Sequence, residues 1–288
     1  MRVAVIGSAG QLGTEVYQAF CAAGHDVLPL SHAEIEVTDP ASVRKALRPD
    51  RAEIAVNCAA YVRVDEAEDD GESAFRVNAL GALNVARVCR ELNALCVYLS
   101  TDYVFDGEKA KPYTEMDSPR PINVYGASKL AGEYLVRQAC SKWTIVRVAS
   151  LFGGSGARAK GGNFIESILA QAKAGSPLRV VNDTHISPTY ARDAAATIVR
   201  LAQQSIRGIV HVTNSGVCTW YGLAKKVAEL CCLNACIEPV SSEAFPRRAA
   251  RPRNSALNNM KAESVLGAPL PVWQDALERY LRCKGHIG

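Results

Sequence analysis

The sequence predicts an α/β fold: a doubly wound parallel sheet joined to a smaller mixed region. Three observations predict it. Short apolar runs without alternating polarity recur through the first half of the chain, as in strands buried on both faces of a parallel sheet. Longer amphipathic stretches separate them, which places helices between the strands. The first run leads straight into a glycine-spaced turn that opens a helix. Together these describe a sheet of the Rossmann type.

The elements follow in order. Residues 2–6 read as the first strand and 11–23 as the first helix. Residues 26–30 and 53–57 read as the second and third strands, and a long helix ends near Asn93. Residues 95–100 form the fourth strand, 124–138 a helix, and 143–148 the fifth strand. In the second half, helices are expected near 163–174, 190–204, 220–231 and 271–282. The glycine-rich stretch 153–162 reads as a flexible loop, and 240–258, with two prolines and four arginines, as a second irregular stretch. Residues 1–150, together with 186–215, are expected to form a dinucleotide-binding domain; 151–185 and 216–288 form a substrate-binding region.

Composition excludes several classes. Of 288 residues, 48% are apolar and 22% charged, which fits a globular chain and not a disordered one. No apolar run approaches the roughly 18 residues that a membrane span needs. The run at the N-terminus is too short for a secretory signal, so a cytoplasmic chain is expected. Thirty-three basic and 29 acidic residues leave a net charge of +4, without the basic stripe of a nucleic-acid binder. Ten cysteines contain no CxxC pair, so they read as buried free thiols, and no metal site is indicated.

The turn is Gly7-Ser8-Ala9-Gly10-Gln11-Leu12-Gly13. Gly7 permits a tight bend, Gly10 lets backbone approach a pyrophosphate, and Gly13 lets the helix lie close to the sheet. Phosphates then meet the unpaired N–H groups at the helix start. Leu30-Ser31-His32 occupies the place where a carboxylate would hold the ribose hydroxyl of NAD. No carboxylate blocks a 2′-phosphate there, so NADPH is the expected coenzyme and NADH the alternative.

Tyr125-Gly126-Ala127-Ser128-Lys129 opens the helix before the fifth strand. Residues four apart share a helical face, so Tyr125 and Lys129 can point at one place. A phenol of pKa about 10 is a poor acid at neutral pH. A neighbouring ammonium favours the phenolate, which would let Tyr125 deliver a proton to a carbonyl oxygen. Thr101, just after the fourth strand, can bond the same oxygen; alternatively it serves only the turn that follows. Arg247, Arg248, Arg251 and Arg253 read as a diphosphate clamp or as a solvated basic loop.

In several stretches the chain resembles the dTDP-4-dehydrorhamnose reductase family of extended short-chain dehydrogenases/reductases. The resemblance rests on GSAGQLG (7–13), NCAAYVRVDEAE (57–68), NALGALNVA (78–86), STDYVFDG (100–107), PINVYGASKLAGE (121–133) and ARPRNSAL (250–257), in order over nearly the whole chain. It implies reduction of the C4 ketone of a dTDP-4-keto-6-deoxyhexose, dTDP-4-dehydrorhamnose giving dTDP-L-rhamnose. It assigns Tyr125 as proton donor, Lys129 to the nicotinamide ribose, and Thr101 to the ketone oxygen. Gly10, Gln11 and Leu12 would hold the pyrophosphate, Glu36 and Val37 would lie by the adenosine, and Ala59, Ala60 and Tyr61 would line the coenzyme. Asp102 and Tyr103 would face the sugar, Arg251 would lead the diphosphate clamp, and Asn163 would bond the diphosphate or base. A homodimer is implied.

Related sugar-nucleotide dehydratases carry an acidic residue where this chain has Tyr103, which argues against dehydration. Rhamnose reductases often place a Trp after the fifth strand, near the sugar; here Arg147-Val148-Ala149-Ser150-Leu151-Phe152 has none, so an aromatic platform is expected to be missing. Two alternatives keep the same triad: another nucleotide-sugar reductase or epimerase, and a non-catalytic NADP-binding regulatory subunit resembling the β subunit of S-adenosylmethionine synthetase.

Overall fold

In the computed structural model, which describes residues 1–47, 52–153 and 163–288, the apolar runs become parallel strands. The first half runs β1 (Arg2–Ile6), α1 (Gln11–Ala22), β2 (Asp26–Leu30), α2 (Pro40–Ala46), β3 (Ile54–Asn57), α3 (Gly71–Phe75), α4 (Ala82–Glu91), β4 (Leu95–Thr101), α5 (Val124–Ala139) and β5 (Trp143–Val148). The second half runs β6 (Leu151–Phe152), α6 (Phe164–Lys173), β7 (Leu178–Val181), β8 (His185–Ile186), β9 (Thr189–Tyr190), α7 (Ala191–Gln203), β10 (Gly208–His211), β11 (Cys218–Thr219), α8 (Trp220–Leu230), β12 (Ile237–Val240), α9 (Met260–Leu266) and α10 (Trp273–Cys283).

Six strands form one sheet in the order β10-β5-β4-β3-β1-β2, with every pair parallel. The residues of β1 show why the runs do not alternate in polarity. Val3 and Val5 join one apolar cluster with Val16 and Phe20 of α1 and Ile198 of α7. Ala4 and Ile6 join the opposite cluster with Val85 of α4 and Val136 of α5. Both faces are covered, so both sets of side chains are apolar, and each fully buried large one contributes roughly 1.5–3 kcal/mol. A third cluster, with Phe152, Ile165, Leu223 and Leu277, packs the second half around three two-stranded pairs, β11–β8, β12–β7 and β6–β9.

The chain places β2 on one side of β1 and then returns to place β3 on the other. The crevice beyond the carboxyl ends of β1 and β3 is the switch point at which such sheets bind ligands.

Several details differ from the sequence reading. The long helix ending near Asn93 is α3 and α4 joined by a π segment, Arg76–Gly81. The seven-residue helices α2 and α9 are too short to carry a clear helical period. Most of the loop read at 153–162, residues 154–162, lies outside the described residues. All ten cysteines are free, but only Cys89, Cys96 and Cys140 are buried; Cys21, Cys232, Cys236 and Cys283 are exposed. The exposed four sit on the outer side of α1, in the segment after α8 and at the end of α10, where no layer covers them. Among the described residues no helix is long and apolar enough to cross a membrane, and no group of His, Cys, Asp and Glu could hold a metal ion.

Candidate active site

Gly7 bends the chain out of β1 at φ +76°, a conformation that L side chains rarely adopt. Its N–H donates to the Leu30 carbonyl at 2.7 Å. A Cβ on Gly7 would stand 2.8 Å from the Ala59 backbone nitrogen, so the ends of β1 and β3 meet here with no room for a side chain. A Cβ on Gly13 would collide with the Gly7 carbonyl. Gly10 caps α1 in an extended conformation with no side-chain acceptor for the first helical N–H groups. Gly10, Gln11 and Leu12 line a cavity of about 500 Å³ together with Cys58 and Ala60. An uncapped helix start on a tight glycine turn fits a diphosphate anion.

The other expected coenzyme contacts are placed less directly. Ala59 lies behind the turn, its N–H held by Asn57 Oδ1 at 3.1 Å. Glu36 and Val37 are not among the residues that line the cavity. The Glu36 carboxylate accepts from the Thr38 N–H and hydroxyl at 2.9 and 2.8 Å, and Val37 is buried against Gly81. Tyr61 is also absent from the lining, though Val62 and Val64 beside it are present.

Thr101, Tyr125 and Lys129 all line this cavity. Thr101 is the last residue of β4 and Tyr125 the second residue of α5. Asn123 caps α5, accepting from the Gly126 N–H at 2.7 Å. Gly126 is needed for packing: a Cβ there would run into the Tyr103 carbonyl. That approach brings the Tyr103 and Tyr125 rings to 6.0 Å, edge to face. The Thr101 hydroxyl donates to Asp102 at 3.0 Å and accepts from the Tyr103 N–H at 3.2 Å, close enough to the Tyr125 phenol to stabilise its charged form. It therefore orders the turn and faces the cavity at once.

In the protein alone, burial works against the expected acidic phenol. Burial raises the Tyr125 phenol well above its ordinary pKa; the Thr101 hydrogen bond pulls it back in part, and Asp102 and Tyr103 push it further up. Lys129 is itself brought down to about 7 by burial, with Glu133 opposing the fall. Its ammonium donates to the Leu99 carbonyl at 2.6 Å and sits 4.2 Å from the centre of the Tyr98 ring. Desolvation, not the neighbouring charge, dominates both groups in the protein alone.

The sequence reading passed over the groups that hold this pair in place. Asn78, fully buried in the π segment, donates to Ser128 Oγ at 2.9 Å and to the Tyr61 carbonyl at 3.1 Å; it accepts from the Tyr61 N–H at 2.9 Å. The Tyr98 hydroxyl donates to the Asn78 carbonyl at 2.8 Å. Asn78 opens the stretch NALGALNVA, but nothing in its spacing distinguishes it from a polar surface position. One turn beyond Lys129, Glu133 forms a buried ion pair with Arg147 at 2.7 Å and accepts from Ser100 Oγ at 2.5 Å.

A second cavity, of about 660 Å³, opens beside the first and is lined by Arg179, Phe245, Arg247 and Arg251. The arginine loop is tied to the segment after β3. Arg251 pairs with Asp65 at 2.7 Å, and the Ala249 N–H donates to the same carboxylate at 3.1 Å. Burial would raise the Asp65 carboxyl, but the Ala249 N–H and the Arg251 guanidinium outweigh it and hold the pKa low. Arg248 pairs with Asp69, and Arg253 lies 3.9 Å from Glu243. Asn163 lines the first cavity, but its amide is engaged: the oxygen accepts from the Glu166 N–H at 3.0 Å and the nitrogen donates to the Tyr280 hydroxyl at 2.9 Å. It acts first as the N-cap of α6.

Among the described residues Tyr103, Ser150, Phe164 and Trp220 line both cavities, so the two adjoin there. Ser150 holds φ +42°, a strained value for a residue with a side chain. Phe164 and Trp220 pack at 4.8 Å between ring centres. The segment after β5 contributes Phe152 to the first cavity, while Phe164 of α6 and Trp220 of α8 line both.

Comparison with known proteins finds similarity over nearly the whole chain. The family model described as the RmlD substrate binding domain matches residues 1–284. The spore coat polysaccharide biosynthesis protein SpsK of Bacillus subtilis is 36% identical, covering 98% of this chain and 97% of its own length. The dTDP-4-dehydrorhamnose reductase of Mycobacterium tuberculosis is 36% identical, covering 96% and 91%. The crystal structure of the dTDP-4-dehydrorhamnose reductase of Bacillus anthracis in complex with NADP superposes with a TM-score of 0.91 at 36% identity, covering 98% of each chain.

Proposed function

The chain belongs to the family of the RmlD substrate binding domain and the dTDP-4-dehydrorhamnose reductases, and from that premise we propose that it is an NADPH-dependent oxidoreductase reducing the C4 ketone of a dTDP-4-keto-6-deoxyhexose, dTDP-4-dehydrorhamnose giving dTDP-L-rhamnose. One observation carries the reading: Thr101, Tyr125 and Lys129 line the same cavity as the glycine turn at the start of α1.

The residues fit the coenzyme. Gly10, Gln11 and Leu12 would hold its pyrophosphate at the uncapped helix start, with Gly7 and Gly13 keeping that space free of side chains. Ala60 and the backbone around Ala59 and Tyr61 would border it. Glu36 and Val37 would lie by the adenosine with both side chains turned to local partners. When bound, NADPH supplies the hydride that reduces C4 of the sugar.

The chain's own groups handle the oxygen and the proton. Thr101 orients the ketone through its hydroxyl. Tyr125 gives its proton to the oxygen that becomes the C4 hydroxyl, so ketone, hydride and proton balance as an alcohol. A phenol held high by burial stays protonated until that charge develops. Lys129 then favours the phenolate left behind, because opposite charges attract strongly in a dry site. The reaction needs no second carboxylate, and Tyr103 stands where one would be.

The nucleotide and diphosphate of the substrate belong in the second cavity, where Arg251 and Arg247 line the wall. Residues 1–150 with 186–215 would then carry the coenzyme, and 151–185 with 216–288 the sugar nucleotide. The test is purified protein with NADPH and dTDP-4-dehydrorhamnose: reduced-nicotinamide absorbance falls and dTDP-L-rhamnose accumulates. Retained NADPH binding without turnover on any dTDP-4-keto-6-deoxyhexose would sink the reading and favour a regulatory subunit.

A further inference from the structure

A nucleotide sugar that reaches from the second cavity to Tyr125 must thread its pyranose ring through the passage between the cavities. Of the four described residues that the cavities share, Tyr103, Phe164 and Trp220 are aromatic, and the fourth, Ser150, is small. A pyranose has polar hydroxyl edges and apolar C–H faces, and a 6-deoxy sugar adds a methyl group. Such a ring gains most from a flat apolar wall on one side and open space on the other.

Trp220 is placed to be that wall. It is the first residue of α8, and Thr219 caps the helix, its hydroxyl accepting from the Gly222 N–H at 3.0 Å. The indole is braced by Phe164 at 4.8 Å with the ring planes inclined at 58°. Trp220 and Phe164 rest on the buried cluster of the second half, which includes Ile165 and Leu223. Trp220 itself stays only partly buried and faces both cavities. Ser150, by contrast, offers one hydroxymethyl group on a left-handed backbone, which leaves room for the ring.

We propose that Trp220 determines sugar specificity: its indole, braced by Phe164, receives the apolar face and C6 methyl of the deoxyhexose in the passage between the two cavities. This role rests on the reading that the substrate is a nucleotide sugar spanning both cavities. In the sequence, Trp220 was an ordinary helix position.

The test compares Trp220→Leu, which keeps apolar bulk against Phe164, with Trp220→Phe, which keeps an aromatic face. Calorimetry on the full chain measures dTDP-L-rhamnose, dTDP alone and NADPH as separate ligands. In Trp220→Leu, affinity for dTDP-L-rhamnose falls about tenfold while dTDP and NADPH stay within about twofold, and Trp220→Phe recovers most of the loss. Equal losses for dTDP and dTDP-L-rhamnose would make Trp220 a structural or nucleotide contact and overturn the proposal; so would an unchanged affinity for dTDP-L-rhamnose. These are binding measurements, so the two readings fail separately. Absence of NADPH oxidation by the unaltered protein counts against the reductase, whereas the calorimetric differences alone decide the role of Trp220.

Discussion

The two walls of the cleft are held by different physics. The coenzyme side is local: Gly7, Gly10 and Gly13 lie within one strand–turn–helix unit, and backbone hydrogen bonds such as Gly10 N–H to the Gly7 carbonyl at 2.9 Å keep its shape. The substrate side is assembled from a distance. Asp65 holds Arg251, Asn123 Nδ2 donates to the Ala250 carbonyl at 2.9 Å, and Phe164 meets Trp220, so α5, α6, α8 and the arginine loop converge only in the folded chain. A wall fixed by backbone sterics tolerates no side chain at its key points. A wall fixed by side-chain pairs yields gradually as the pairs are removed.

The contrast is sharpened most by Gly13→Val. Its side chain would overlap the Gly7 carbonyl, so the turn must open and NADPH affinity falls by about 100-fold or more, read by fluorescence titration alongside circular dichroism to confirm the fold. Retained tight binding would break the idea that this wall is sterically fixed.

Tyr125→Phe comes next. It leaves both walls intact and removes the proton-donating hydroxyl, so kcat falls by about 100-fold or more with NADPH affinity unchanged. Normal turnover would remove Tyr125 from the acid role.

The arginine loop divides more finely. Arg247→Ala raises KM for the sugar nucleotide by about tenfold and leaves the melting temperature in place. Arg251→Ala raises KM comparably but also lowers the melting temperature, because Asp65 loses its partner. An identical effect of the two on stability would mean that the Asp65 pair does not anchor the loop.

The effect at Lys129 is read only as a change of stability with pH. Its pKa is about 7 in the folded protein and ordinarily 10.5, so the unfolded chain binds more protons between those values. Stability therefore rises with pH across that window, and the penalty for a buried ammonium is full below it. Lys129→Met flattens the rise by about 1–3 kcal/mol between pH 7 and 9, measured by urea denaturation at each pH. The same slope in both proteins would show that Lys129 keeps its charge in the fold.

The sequence made the coenzyme wall legible because its signals are short-range: a glycine triplet on a strand end, and Tyr125 and Lys129 one helical turn apart. Thr101 was visible for the same reason: it ends a buried strand, and that end opens into the cavity. Asn78 was missed because a π segment has no signature in apolar periodicity, and the amide's value comes from Ser128 and Tyr61, which only folding brings near. Lys129 was expected to lower the Tyr125 pKa because proximity on a helix face reveals the neighbour but not the desolvation. The positions after β5 hold Phe152 but no Trp, so the sequence offers no indole there; Phe164 and Trp220 meet from helices 56 residues apart in number, a pairing that no local pattern encodes.

By itself, then, the sequence determined the parallel sheet, the glycine turn at the first helix and the Tyr125–Lys129 pair on one helical face, because strand burial, glycine sterics and helical spacing act within a few residues. Only the tertiary structure decided which arginine is tied to Asp65, how dry Lys129 is, and what lines the passage between the cavities. Those depend on distances between segments far apart in the chain, and such distances are set by packing the layers together.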